Sequence, residues 1–281
     1  MLWKPVCEYP LTLKHDLKCF KYPSCCMFFQ IIDHYQRIAS GYDAHYEGLH
    51  KAVLPIILDK FNFAPSDVLL DLGSGTGTLA LNTKKQARLE HPVICVEPCE
   101  EMVKVAKKIE GITVIQATAE DFTSQAISSY HFNKVLVAFC SHQFVDSREM
   151  VLTKLSECLP MGGVCLIIDR QQKTALPLFK AALERHQTSH ANNLSSEQYS
   201  ALVQPMGFEV SSSDISLEYS MTKLLWYETL RERYISCLHQ LTDEQIEDGI
   251  SELESHFQAQ KDSEDIPVCD PVNVHKLVKK H

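Results

Sequence analysis

No stretch of this chain approaches 18 consecutive apolar residues, so the sequence predicts no membrane-spanning helix. The first 27 residues contain no Arg and no basic segment leading into an apolar run. Neither a secretory nor a mitochondrial leader is expected, and the cytosol is the default compartment. Basic residues are in deficit. Lys and Arg number 27 against 36 Asp and Glu, a net charge of −9 over 281 residues, which argues against a nucleic-acid backbone or an anionic membrane surface as main partner. Part of the acid excess is local: nine acids and one Lys lie between residues 241 and 265, the pattern of a solvated helix face and an acidic loop. The 11 Cys include no CxxC pair, and Cys95, Cys140 and Cys165 stand in or beside apolar runs that read as core. That layout suits neither a disulfide framework nor a zinc site, so no metal is expected and a reducing compartment is. No internal repeat or low-complexity tract interrupts the chain.

What is present is an alternation. Short β-rich runs at 67–71 (DVLLD), 92–97 (PVICVE), 112–116 (ITVIQ), 134–139 (KVLVAF) and 163–169 (GVCLIID) are separated by segments of helical period. Continuous apolar strands alternating with helices predict a parallel sheet covered on both faces, an α/β doubly wound sandwich. Residues 1–26 are aperiodic and read as an extension, and 27–281 as one domain. Helical cap segments are expected at 27–50 (with a break at Ser40-Gly41), 170–205 and 221–257. In the last of these, Thr242 and Gln245 form a capping box ahead of a face built from Ile246, Ile250, Leu253 and Phe257. The final strand is expected at 272–278, antiparallel to its neighbours. The competing assignment makes 214–219 that strand, in a hairpin with 208–212 through Ser213.

The strongest chemical signal is Asp67-Val-Leu-Leu-Asp-Leu-Gly-Ser-Gly-Thr-Gly-Thr78: a buried strand ending in the acid Asp71, then Gly73, Gly75 and Gly77, then a helix. Glycines permit the sharp turn and let a ligand lie directly on the backbone, while the first turn of the helix offers N–H groups to an electronegative atom. A dinucleotide loop requires its third Gly where Thr78 stands, and no Lys-Ser/Thr pair follows for a phosphate loop. Glu97 ends the second strand, where an acid can accept both hydroxyls of a ribose. Met102, one turn into the next helix, can close over an adenine or simply pack in the core.

At these residues the chain resembles class I S-adenosylmethionine-dependent methyltransferases. The glycine loop, the acidic strand end Val96-Glu-Pro-Cys-Glu-Glu-Met102, Ala117-Thr-Ala-Glu-Asp-Phe122 and Leu159-Pro-Met-Gly-Gly163 fall in that family's order, and the resemblance spans roughly residues 30–220. It implies a seven-stranded, mainly parallel sheet and S-adenosyl-L-methionine as cofactor. By the same resemblance Asp71, Gly73, Ser74, Gly75, Thr76 and Gly77 hold the methionine part, and Glu97, with Pro98 and Met102, the ribose and adenine. Thr118, Ala119 and Glu120 flank the adenine, although many relatives carry Asp where Thr118 stands. The segment Ile38-Ala-Ser-Gly-Tyr-Asp43 resembles the family's N-terminal cap and brings Tyr42 near the cofactor.

The fourth strand exits through Phe139 into Cys140-Ser-His-Gln-Phe144, without the Asn/Asp-Pro-Pro-Tyr/Phe clamp of relatives that methylate planar nitrogen groups. Ser141 and His142 are therefore candidate substrate residues, His142 either as general base or as a residue that merely orients the acceptor. Trp226, Tyr227 and Arg233 are candidate acceptor contacts, with aromatic core and solvated arginine as the bland alternative. The expected activity is methyl transfer to a small-molecule acceptor by in-line displacement, driven mainly by positioning. The alternatives are a catalytically silent binding subunit of the same fold and a nicotinamide-dependent oxidoreductase. The glycine spacing disfavours the latter.

Overall fold

A computed structural model of the chain describes residues 33–171, 194–235, 238–239 and 241–280. Helix α1 (33–38) turns at 39–41 into α2 (Tyr42–Phe61). The alternation follows: β1 (Leu69–Leu72), α3 (Thr78–Ala87), β2 (Val93–Glu97), α4 (Glu100–Ala106), β3 (Ile112–Gln116), α5 (Ala119–Asp121), β4 (Lys134–Ala138), α6 (Arg148–Cys158) and β5 (Val164–Arg170). The chain closes with α7 (Ser196–Val203), β6 (Phe208–Thr222), α8 (Lys223–Arg231), α9 (Asp243–His256) and β7 (Asp265–Lys279). Of the expected cap segment 170–205, residues 172–193 lie outside the described residues.

Seven strands form one sheet in the order β3-β2-β1-β4-β5-β7-β6. β1 to β5 run parallel, and β7 inserts antiparallel between β5 and β6. The central strands are apolar on both faces because both faces are covered: every residue of β1 and β2 is buried. On one face Leu49, Val53, Ile57 and Phe61 of α2 pack with Leu79 and Ala80 of α3. On the other, Val151, Leu152 and Leu155 of α6 pack with Phe122 and Tyr199. Among the described residues no helix is long and apolar enough to cross a membrane.

The last strand is where the alternation placed it, though longer. β6 and β7 are each 15 residues and pair along their whole length, from Phe208 opposite Lys279 to Thr222 opposite Asp265. Ser213 sits in mid-strand opposite Val274, so the hairpin through Ser213 does not form. β5 pairs only with residues 272–278 of β7. The rest of the β6–β7 ribbon therefore runs past the carboxyl end of β5 as a two-stranded arm. An isolated ribbon is marginal in water. This one is stabilised by a core of its own, in which Met221, Ile266 and Val268 pack with Trp226 and Leu230 of α8 and Ile246, Ile250 and Leu253 of α9. The expected capping box is in place at Thr242/Gln245, and a second reciprocal box, Ser195/Gln198, opens α7.

Candidate active site

The site forms where β1, β2 and β4 end, the carboxyl rim at which ligands bind in open α/β sheets. A cavity opens there. Its floor is the glycine loop. Gly73 has φ +79, and a Cβ on it would fall 2.6 Å from Cys140 Sγ. Gly75 has φ +57, yet the nearest heavy atom to a Cβ there is Tyr42 Cε1 at 3.9 Å. Gly73 is glycine because protein presses on it, whereas Gly75 is glycine beside empty space: a cradle that a side chain would fill.

The loop is held by its own amides. Gly73 N and Ser74 N both donate to Val96 O at 2.8 and 3.1 Å, and Gly77 N donates to Ser74 O at 3.0 Å. Gly75 N donates to Glu97 Oε2 at 2.9 Å, and Cys99 N donates to Glu97 Oε1 at 2.9 Å. One carboxylate thus joins the turns after β1 and β2. Glu97 is 7% exposed, and burial pushes its carboxyl up to about 7 against the opposing pull of the two N–H donors. Asp71 is raised to about 7 as well, by burial first and then by the charge of Glu97.

Most of the sequence-predicted cofactor residues come together here. Asp71, Gly73, Ser74 and Gly75 line the cavity from β1, Glu97, Pro98 and Met102 from β2 and α4, and Thr118, Ala119 and Glu120 from the turn after β3. Tyr42 and Phe139 close it from α2 and the end of β4. Phe139 holds φ +58, unusual for a bulky residue, and Arg170 lies 5.7 Å from its ring centre. Thr76 and Gly77 stand outside the lining. The buried Thr76 hydroxyl donates to Asp43 Oδ1 at 2.6 Å and ties α2 to the loop, and Gly77 is the N-cap of α3.

The predicted acceptor residues are not in the lining. Ser141 is buried, with its hydroxyl donating to Asp169 Oδ2 at 2.5 Å and Tyr199 Oη within 3.4 Å of both. His142 Nε2 accepts from Gln143 Nε2 at 2.7 Å, and it is Gln143 that reaches the cavity. In this structure His142 stands outside the lining, next to Gln143, which does reach it. Trp226 is 4% exposed in the core of the arm, and the Tyr227 hydroxyl donates to Glu254 Oε2 at 2.7 Å. Arg233 pairs with Asp243 at 2.6 Å and donates to Leu241 O. The segment backs the cavity at one remove: His45 Nδ1 lies 2.7 Å from Thr229 Oγ1, and the Tyr46 hydroxyl donates to Tyr234 O at 2.7 Å, so α8 and the turn after it hold α2 in place.

Sequence reasoning missed Tyr35, His50, Cys140, Gln143 and Phe144, all of which line the cavity. For His50 a signal existed. It lies four residues after Tyr46 and eight after Tyr42, on one helical face, with ring centres 6.1 and 6.4 Å away. Three buried polar atoms of lining residues have no partner: His50 Nδ1, Ser74 Oγ and Gln143 Oε1. Buried polar groups are ordinarily hydrogen-bonded, so such a cluster around a cavity marks a place built for a polar ligand.

Residues 69–163 match the family described as a methyltransferase domain. None of the curated proteins matches the sequence. Among solved structures, the YcgJ protein of Bacillus subtilis is similar at TM-score 0.54 and 16% identity, over 83% of this chain and 99% of that one. Phosphoethanolamine N-methyltransferase 2 of Haemonchus contortus, in complex with phosphomonomethylethanolamine and S-adenosylhomocysteine, is similar at TM-score 0.56 and 18% identity, over 90% of this chain and 59% of that one. A protein of Anabaena variabilis, described as a methyltransferase from an antibiotic biosynthesis pathway, gives TM-score 0.59 and 15% identity over 79% and 95%. Likenesses at such identities establish the fold. Residues 69–163 thus match a methyltransferase domain, within a chain whose fold is the Rossmann-like α/β fold of S-adenosylmethionine-dependent methyltransferases.

Proposed function

We propose that the chain methylates a small molecule bound in the same cavity as the cofactor. The observation that carries this reading is the aromatic lining of the cavity at the rim. The cavity lies between the strand ends and the helices α1 and α2, and Tyr35, Tyr42, Phe139 and Phe144 wall it with aromatic surface. An apolar cavity with a few polar groups is the usual build of a small-molecule site. The deficit of basic residues speaks against a nucleic-acid acceptor.

The residues fit the cofactor. In this reading the open side of Gly75 takes the ligand backbone-to-chain, Glu97 accepts the ribose hydroxyls, Asp71 faces the amino-acid end, and Met102 with Thr118, Ala119 and Glu120 flanks the adenine. Pro98, Phe139 and Ser74 complete the enclosure. S-adenosylmethionine supplies a methyl group on a positively charged sulfur, open to in-line displacement. Positioning then accounts for most of the rate: well-oriented reactants can recover about 7–11 kcal/mol of the barrier. With Ser141 and His142 engaged elsewhere, Gln143 is the polar side chain at the β4 exit that meets an acceptor, by hydrogen bonding rather than proton transfer. The free cysteines among the described residues suit a reducing compartment such as the cytosol.

The test is methyl transfer from isotopically labelled S-adenosylmethionine into fractionated metabolite extracts. Label in a low-mass product supports the reading, while label only in protein or RNA refutes it. Binding of S-adenosylhomocysteine without transfer to any fraction would favour a catalytically silent subunit.

A further inference from the structure

In a pocket that already holds two buried acids, a ligand carboxylate needs donors, and the glycine loop has few left. The amides of Gly73, Ser74, Gly75 and Gly77 all donate within the protein, to Val96 O, Val96 O, Glu97 Oε2 and Ser74 O respectively. The start of α3, the other usual source of N–H groups, already has a carboxylate beside it, because Thr76 Oγ1 donates to Asp43 Oδ1 at 2.6 Å.

His50 answers this shortage. It lines the cavity, is 9% exposed, and its Nδ1 is buried without a partner. A ring nitrogen stripped of water and given no bond costs stability unless something completes it. Its place in the fold selects which part of a ligand it meets. Tyr42 Cε1 lies 3.9 Å from the open side of Gly75, and the His50 ring centre lies 6.4 Å from that of Tyr42. α2 packs on α3 and on β5 and β6, the side of the glycine loop away from the strand end that carries Glu97. Ser74 Oγ, the second unpartnered donor, belongs to the loop itself. Burial lowers the imidazole to about 4, partly offset by Asp43, so at neutral pH the ring is uncharged with one N–H to give.

We propose that His50, assisted by Ser74 Oγ, is the residue that binds the carboxylate of the cofactor's amino-acid end. A side chain on α2 then serves where the loop amides are already engaged. The inference rests on the cofactor placement given under Proposed function, and the probes below separate the two.

The experiment measures Kd for S-adenosylhomocysteine, its decarboxylated analogue (amine kept, carboxylate absent) and 5′-methylthioadenosine (neither), using the whole chain and its His50→Leu and His50→Gln variants. The parent should bind S-adenosylhomocysteine more tightly than the decarboxylated analogue. His50→Leu should weaken S-adenosylhomocysteine about 10- to 100-fold, the range for a lost bond to a charged group, and leave both other ligands within a factor of two or so. His50→Gln, which keeps an N–H donor, should recover part of the loss. Unchanged S-adenosylhomocysteine binding in His50→Leu overturns the inference. So does an equal loss for the decarboxylated analogue, which would put the amine at His50. An equal loss for all three ligands makes the residue structural and also overturns it. If the parent binds none of the three, the cofactor placement itself fails, and this inference with it.

Discussion

If Glu97 accepts the ribose hydroxyls as proposed, cofactor binding is coupled to pH, with a sign that follows from the burial of its carboxyl. Its carboxyl is moved from the ordinary 4.5 to about 7 by burial, which corresponds to roughly 3 kcal/mol of folding free energy opposed to its ionised form. A raised carboxyl binds more protons folded than unfolded between those two values. The ligand-free protein should therefore lose stability as pH rises from about 4.5 to 7, with Asp71, also raised to about 7, adding to the same slope. Ligand binding runs the other way. Ribose hydroxyls are donors and require the ionised carboxylate, which already accepts from Gly75 N and Cys99 N. A group titrating near 7 is about nine-tenths protonated at pH 6 and about one-tenth at pH 8. S-adenosylhomocysteine binding should thus release close to one proton at pH 6 and about 0.1 at pH 8, and be roughly tenfold tighter at pH 8. Titration calorimetry in two buffers of different ionisation enthalpy measures both quantities. Glu97→Gln should flatten the profile. Equal affinity at the two pH values, or proton uptake on binding, would refute the placement of the ribose on Glu97.

Other outcomes follow from contacts already described. Gly75→Val should leave a folded protein, destabilised by about 1–2 kcal/mol for a side chain at φ +57, and should abolish S-adenosylhomocysteine binding because the added atoms enter the cavity; a variant that binds like the parent would misplace the site. Gly73→Ala should instead act on stability, by about 2–4 kcal/mol, since its Cβ would meet Cys140 at 2.6 and 2.8 Å; a melt within one degree of the parent would contradict this. Trp226→Ala should cost about 3–5 kcal/mol by emptying the core of the arm while leaving the folded fraction with parental S-adenosylhomocysteine affinity, measured by denaturation and by calorimetry below the melt. Arg233→Ala should change stability by less than about 1 kcal/mol, because its partner Asp243 is 93% exposed, and should leave turnover unchanged.

The sequence by itself determined the sheet and the floor of the site. Strand-length apolar runs ending in Asp71 and Glu97 have one workable environment, a parallel sheet covered on both faces, and period-2 and period-3.6 patterns are local properties of the chain. The glycine loop was legible for the same reason: φ values of +79 and +57 at Gly73 and Gly75 exclude most side chains, so the backbone writes itself into the residue type. Adjacent residues at the β4 exit were not separable in this way. Ser141, His142 and Gln143 lie in one 3₁₀ turn, and which of them faces the cavity depends on Asp169 and Tyr199, brought in from β5 and α7 to claim the serine. Trp226, Tyr227 and Arg233 carry the residue types of a substrate wall, yet only the 15-residue pairing of β6 with β7 reveals the arm whose core absorbs Trp226 and whose acids Glu254 and Asp243 engage the other two. His50 shares a helical face with Tyr42 and Tyr46 in sequence. Its unpartnered nitrogen became visible only when α2 was laid across the glycine loop, because solvation and partnership are properties of the space around a side chain, and contacts distant in the chain decide that space.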